Sequence, residues 1–237
     1  MSEGLVKPKR FYKDVSVSQA EGGGFGVFLD GRQARTASRR ALAAPSSPLA
    51  QAVAAEWDAQ GEEIDRHAMP LTALLSAAID GSEAEAVRSR AEVLNYLKSD
   101  LLCYQAEAPA ALVERQGAQW GPYLDWMRDE LGAPLEIASG VIAVAQPDAS
   151  IDAVRRLLDD ADPYAALGLK TATAITGSAV LALAVWRGAF DADAVFEASR
   201  LDERFQEEKW GVDAEAKARE DAMRREFNAV CAFLSLL

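Results

Sequence analysis

The spacing of apolar residues changes part-way along the chain. Near the start, Phe11, Val15 and Val17 alternate imperfectly with Lys13, Asp14 and Ser16, and Phe25-Gly26-Val27-Phe28-Leu29 follows the break at Glu21-Gly22-Gly23-Gly24. Near-alternation is the period of a strand with one face buried. Asp30-Gly31 is a strong two-residue hairpin turn, and residues 33–36 supply the return strand. From Ser47 the spacing becomes three and four. Ser47 is a good N-cap, Pro48 a good first helical residue, and Leu49, Val53 and Trp57 share one side of the helix that follows. Further helices are expected over 70–79, 82–102, 116–131, 150–159, 171–187, 193–210 and 214–237. The helix over 82–102 should bury Val87, Ala91, Leu94, Leu97 and Leu101, and Gly121-Pro122 should break or kink the one over 116–131. The last helix has Met223, Phe227, Val230, Leu234 and Leu237 in one stripe. Small and β-branched residues near 135–145, broken by Gly140, read as a short hairpin inserted between helices. The fold class is therefore α+β: a small N-terminal antiparallel β module with its following helices over 1–80, then a larger multihelical module over 81–237.

The segment Leu201–Glu215 stands out. Val195, Ala198, Leu201 and Phe205 form a buried stripe, while Glu203 and Glu207 lie roughly 200° away. Trp210, seven residues after Glu203, shares that acidic side until Gly211 ends the helix, and Asp213 and Glu215 follow. An indole among carboxylates suits recognition better than catalysis. The alternative is a tryptophan folded back onto another helix, as large aromatics usually are.

Composition narrows the function. The 237 residues suffice for a real core, and 25 basic against 37 acidic residues give a net charge of −12. That balance argues against non-specific nucleic-acid binding and against anionic membranes, since both need a cationic surface. It suits a partner with a basic patch. The most apolar run, Ala174 to Trp186, is too short to span a bilayer, which takes ~20 residues, so it reads as a core helix and no stable membrane insertion is expected. No secretory signal opens the chain. Cys103 and Cys231 lie far apart with no CxxC or histidine cluster, as reduced core thiols of a cytosolic-type protein do.

Motifs for chemistry are weak. Gly22-Gly23-Gly24-Phe25-Gly26 lacks the strand-to-helix setting and the GK[ST] ending of a phosphate loop, so it reads as a turn. His67 is the only histidine and sits in loop-like sequence before Pro70. The acid pairs Glu203/Glu207 and Asp213/Glu215 do not form a calcium loop. No cofactor, metal site or catalytic residue is expected. Glu56, beside Trp57 near the apolar side of its helix, should be partly buried, with Arg10, Arg32 or Arg35 as its cationic partner.

Several short motifs nonetheless occur in a familiar order. They are Arg10-Phe11-Tyr12-Lys13, Leu29-Asp30-Gly31-Arg32, Ala55-Glu56-Trp57-Asp58-Ala59-Gln60 and His67-Ala68-Met69-Pro70-Leu71-Thr72. Ser99-Asp100-Leu101-Leu102-Cys103-Tyr104, Gln116 with Trp120, Thr176-Gly177-Ser178, and Leu201-Asp202-Glu203 with Trp210-Gly211 follow. This succession, running from about residue 10 to the C-terminus, resembles the ATP12 family, assembly chaperones of the F1 sector of ATP synthase. The resemblance implies a non-enzymatic protein that binds the unassembled F1-ATPase α subunit, keeps it from aggregating before the α/β hexamer forms, and does not use ATP in doing so. It also implies a β-rich module joined to a helical one. Eukaryotic relatives are mitochondrial; without a presequence, the bacterial cytoplasm is expected here, with a monomer adequate for masking one subunit.

On that reading the client contact is assigned to Glu203, Glu207, Trp210, Asp213 and Glu215. Structural roles go to Glu56, to Trp57 as the anchor of the first helix against the β module, and to Asp100, expected with Tyr104 on a helix. Two other functions remain open: a small-molecule enzyme using carboxylates in a cleft between the modules, and a binding module for another oligomer's subunit.

Overall fold

In the computed structural model, which describes residues 7–140, 144–211 and 213–237, the alternating N-terminal segment is an antiparallel sheet. Its strands are β1 (Val15–Gln19), β2 (Phe25–Leu29), β3 (Arg32–Gln33) and β4 (Ala43–Ala44). β2 is the hub: it pairs with β1 from Val15↔Leu29 to Gln19↔Phe25, with β3 at Phe28↔Gln33, and with β4 at Phe25↔Ala44. The glycine-rich segment is the β1–β2 turn, and Asp30 and Gly31 take positive φ of 48° and 76°, as a tight hairpin needs. The helix α1 (Ser47–Asp58) lies on this sheet and buries Leu49 and Val53, while the sheet contributes Val27 and Leu29 to the same core. Its cap is Ser46, one residue earlier than expected, whose hydroxyl accepts from Leu49 N at 3.2 Å. That same hydroxyl donates to the Leu236 carbonyl. Pro48 remains in the first turn, where its missing N–H costs nothing. α2 (Pro70–Asp80) follows. The residues up to Ser82, with Leu236 and Leu237, make one compact unit, and Glu83–Ser235 make a second.

The second unit is helical, with α3 (Glu83–Leu97), α4 (Ala110–Leu131), α5 (Asp148–Asp159), α6 (Pro163–Thr176), α7 (Ala179–Trp186), α8 (Ala192–Ser199), α9 (Leu201–Trp210) and α10 (Ala214–Ser235). α7 is apolar all round and lies at the centre, with every residue from Ala179 to Ala184 buried. α10 docks with Phe227, Val230 and Leu234.

Four details depart from the sequence pattern. The expected helix over 171–187 is two helices, α6 and α7, parted at Gly177; that over 193–210 is α8 and α9, parted at Arg200. In both cases the apolar spacing runs across the break because both pieces bury a side in one core. α4, by contrast, carries Pro122 without ending, held on both sides of it by buried Gln116, Trp120, Tyr123, Leu124 and Met127. The α3 stripe is Ala86, Ser89, Val93 and Leu97, so Val87 is exposed; the face is set by packing against α6, which accepts a small serine where a hydrophobicity count selects valine. Lastly, Ala138–Ser139 (β6) pairs in parallel with Tyr104–Gln105 (β5) rather than with its own neighbour. Residues 141–143 of the expected hairpin lie outside the described residues.

Candidate functional site

The Thr176-Gly177-Ser178 junction explains itself residue by residue. Gly177 closes α6 with a left-handed φ of 70°, a conformation glycine adopts freely. Ser178 then caps α7, its hydroxyl accepting from Leu181 N at 3.1 Å. Asp100 locks this turn in place. Fully buried, its carboxylate accepts from Ser178 Oγ at 2.7 Å, Val180 N at 3.0 Å and Leu102 N at 3.1 Å. Burial pushes its pKa up to about 6, against the pull of these donors. Asp100 therefore starts the 3-10 turn Leu101–Cys103 and steadies the start of α7 at once. Asp100 links the 3-10 turn to the start of α7, and neither it nor Tyr104 lies on the expected α-helix, since Tyr104 is in β5.

α4 brings in the next motif. Gln116, almost wholly buried, accepts from Ala106 N at 2.8 Å and donates through Nε2 to Asp202 Oδ1 at 2.7 Å. One turn on, Trp120 donates from Nε1 to the Ala198 carbonyl at 2.9 Å. The residue just before Gln116, Arg115, grips Glu208 with two bonds of 2.6 and 3.0 Å. α4 thus holds the end of α8 and the length of α9.

Between these elements lies a cleft of about 390 Å3, walled by Leu101, Trp120, Ile175, Thr176, Gly177, Arg200, Asp202, Glu203 and Gln206. Motifs far apart in the chain converge on one place. A family profile described as ATP12 chaperone protein matches residues 9–128, about half of the chain. The chain belongs to the ATP12 chaperone family. Among solved structures, it is 38% identical to Atp12 from Paracoccus denitrificans, covering 97% of this chain and 98% of that one with a TM-score of 0.92. A single-substitution variant of the Paracoccus protein matches with a TM-score of 0.91. The Atu1473 protein of Agrobacterium tumefaciens is 40% identical, over 97% of this chain and 86% of that one, with a TM-score of 0.93.

In this ATP12 chaperone, Trp210 projects from the end of α9 and is 86% exposed. The acids around it have intramolecular partners. Glu203 pairs with Arg200 at 2.7 Å, Glu207 with Arg204 at 3.2 Å, and Glu215 with Arg219 at 2.7 Å. Asp213 accepts from Glu215 N at 2.6 Å and Ala216 N at 3.3 Å, fixing the first turn of α10. Arg204 also reaches Glu197 on α8 at 3.3 Å and the buried Glu220 on α10 at 2.7 Å, so one guanidinium ties three helices. The structure thus joins Glu203 to the cleft and leaves Trp210 free at the other end of the same helix. Asp202, Arg200 and Gln206, not singled out as site residues by sequence, complete the cleft wall. Asp202 lies in the Leu201-Asp202-Glu203 motif and Arg200 next to it, whereas Gln206 carried no such signal.

Glu56 is a correction. Among the described residues no arginine pairs with it: its carboxylate accepts from Leu71 N, Thr72 N and Thr72 Oγ1, each at 2.7 Å, and so caps α2. Burial raises its pKa, and those bonds oppose the rise. The backbone amides of a helix start can satisfy a carboxylate without any cation. Arg10 instead ties down the chain beyond α1, donating to the Asp58 carbonyl at 2.9 Å and the Gln60 carbonyl at 2.5 Å. Trp57 is half-buried, its ring edge-on to Tyr12 at 5.7 Å, and the Tyr12 hydroxyl donates to the Trp57 carbonyl at 2.7 Å. Both raised carboxyls spend their oxygens on helix starts, which is structural work. His67 lies exposed in a 3-10 turn, and burial pushes the thiols of Cys103 and Cys231 up to about 12, far from nucleophilic use at neutral pH. Among the described residues no group of three or more His, Cys, Asp or Glu is placed to hold a metal ion, and no helix is long and apolar enough to cross a membrane.

Proposed function

We propose that this chaperone binds the unassembled F1-ATPase α subunit, in the bacterial cytoplasm and as a monomer, and masks it until assembly. The contact is the segment from α9 into α10, carried by Glu203, Glu207, Trp210, Asp213 and Glu215. The observation that supports this is Trp210, a large indole presented to solvent on an acidic helix end. A subunit awaiting a ring exposes interfaces like a domain core cut in half, and alone such surface aggregates. A masking protein must cover it and later let go. An aromatic anchor with a polar rim does this, because a few buried contacts carry the affinity while the rim keeps each partner soluble alone.

Co-expression with the F1 α and β subunits separately, followed by affinity capture and size exclusion, tests the reading. A soluble one-to-one complex with α alone is expected. Equal aggregation of α with and without the chain would end this assignment and leave the cleft carboxylates to be tried as an enzyme's.

A further inference from the structure

The cleft's chemistry narrows what enters it, given the chaperone reading above. Three features make it attract a cation. Asp202 keeps its place through one carboxylate oxygen, held by Gln116, and so presents a preset acid on the wall. Glu203 stands one residue along, sharing its charge with Arg200. Independently, Ala174, Ile175 and Thr176 are the last residues of α6 and also line the cleft, so the C-terminal end of that helix, the negative end of its dipole, borders the same space. Against these stands one cation among the lining residues, Arg200, whose Nη1 pairs with Glu203 and whose buried Nε meets no acceptor among the described residues. Leu101, Trp120 and Ile175 add apolar surface to the lining, beside the uncharged polar Thr176, Ser199 and Gln206. Acids and apolar side chains in one cleft match a charged head on a long aliphatic stem.

The position of the cleft adds a second requirement. Glu203 and Trp210 are seven residues apart on α9, which puts them on one face about 10 Å apart at ~1.5 Å per residue. Three or four residues of extended chain, at ~3.3 Å each, cover that distance. We propose that the cleft receives an arginine or lysine side chain of an extended client segment, and that an apolar residue three or four positions away on that segment lies against Trp210. The acidic cleft fixes register and the indole supplies contact area.

The test uses the full-length chain and an acetylated, amidated peptide with one arginine and one leucine three residues apart in an alanine–glycine background. Matched peptides carry norleucine or glutamate in place of the arginine. Binding is followed by backbone and indole amide resonances. The arginine peptide is expected to shift residues of the cleft and the Trp210 indole, and to bind at least tenfold more tightly than either counterpart. The isosteric pair Asp202→Asn and Glu203→Gln together should lower that affinity at least tenfold with the thermal melt unchanged. Equal binding of the norleucine peptide, preference for glutamate (which would make Arg200 the anchor), no shifts at millimolar peptide, or indifference to the double substitution would each overturn the proposal. Capture of the α subunit without peptide selectivity rejects the cleft's role and spares the chaperone reading. Selective peptide binding without α capture does the reverse.

Discussion

Asp100 brings a carboxylate into the core of the second unit and meets it there with neutral donors: one hydroxyl and two backbone amides. Its pKa rises from 3.8 to about 6, with burial as the largest cause. A carboxyl with a raised folded-state pKa holds its proton more firmly in the folded chain than in the unfolded one. Its contribution to stability is therefore fully present below about pH 4 and is lost as pH rises to about 6, by roughly 3 kcal/mol. The difference in unfolding free energy between the wild type and Asp100→Asn, measured by urea denaturation, should change across that window and be flat above about pH 7. A constant difference from pH 4 to 7 would place the group in a wetter environment than the structure gives it. Trp210 is the opposite case. At 86% exposed it has little packing to lose, so Trp210→Ala should alter stability by no more than about 0.5 kcal/mol while reducing capture of the α subunit at least tenfold. A large fall in melting temperature would mean the indole packs after all.

Carboxylate caps join some of the elements. Glu56 on α1 satisfies the first amides of α2, so the two helices of the N-terminal unit are fixed at one end by a single carboxylate. Glu56→Ala should cost about 1–2 kcal/mol, the usual range for a lost cap, and Glu56→Gln, which keeps one acceptor, about half as much. Chemical denaturation of the three proteins checks the order; no loss in the alanine variant would show that water caps α2 equally well. Asp213 does the same for α10 in the second unit. Lysine at Asp213 therefore disturbs both the cap and the proposed contact, whereas a change at Glu203 leaves every cap intact. The strand alternation, the Asp30-Gly31 turn, Pro48 and Gly211 were legible because each acts on its own neighbours in the chain. The break at Gly177 was missed because apolar spacing continues across it from Ala174 to Trp186, although Gly177 and Ser178 are themselves a helix-stop and helix-start pair.

Across the whole molecule, the net charge of −12 is spread over a surface on which many acids are paired with arginines. Paired acids still add to the long-range field, although each pair is worth little to stability. Encounter with a basic client surface should therefore be steered. Its association rate should fall on the order of tenfold as salt rises from low to physiological ionic strength, with a smaller change in dissociation. Stopped-flow mixing with the α subunit at several salt concentrations measures both, and a salt-independent association rate would remove steering from the account.

Sequence alone determined the α+β class, the change from strand to helix period near Ser47, most helix positions, and, through ordered motifs, the family. These depend on side-chain spacing and on turn chemistry acting over a few residues. Only the tertiary structure decided that Gln116 meets Asp202 across 86 positions and Asp100 meets Ser178 across 78, that Glu56 caps a helix instead of pairing with arginine, and that Trp210 faces water. Which distant groups satisfy a buried polar atom is settled by the packing of whole helices, and local spacing carries no record of it.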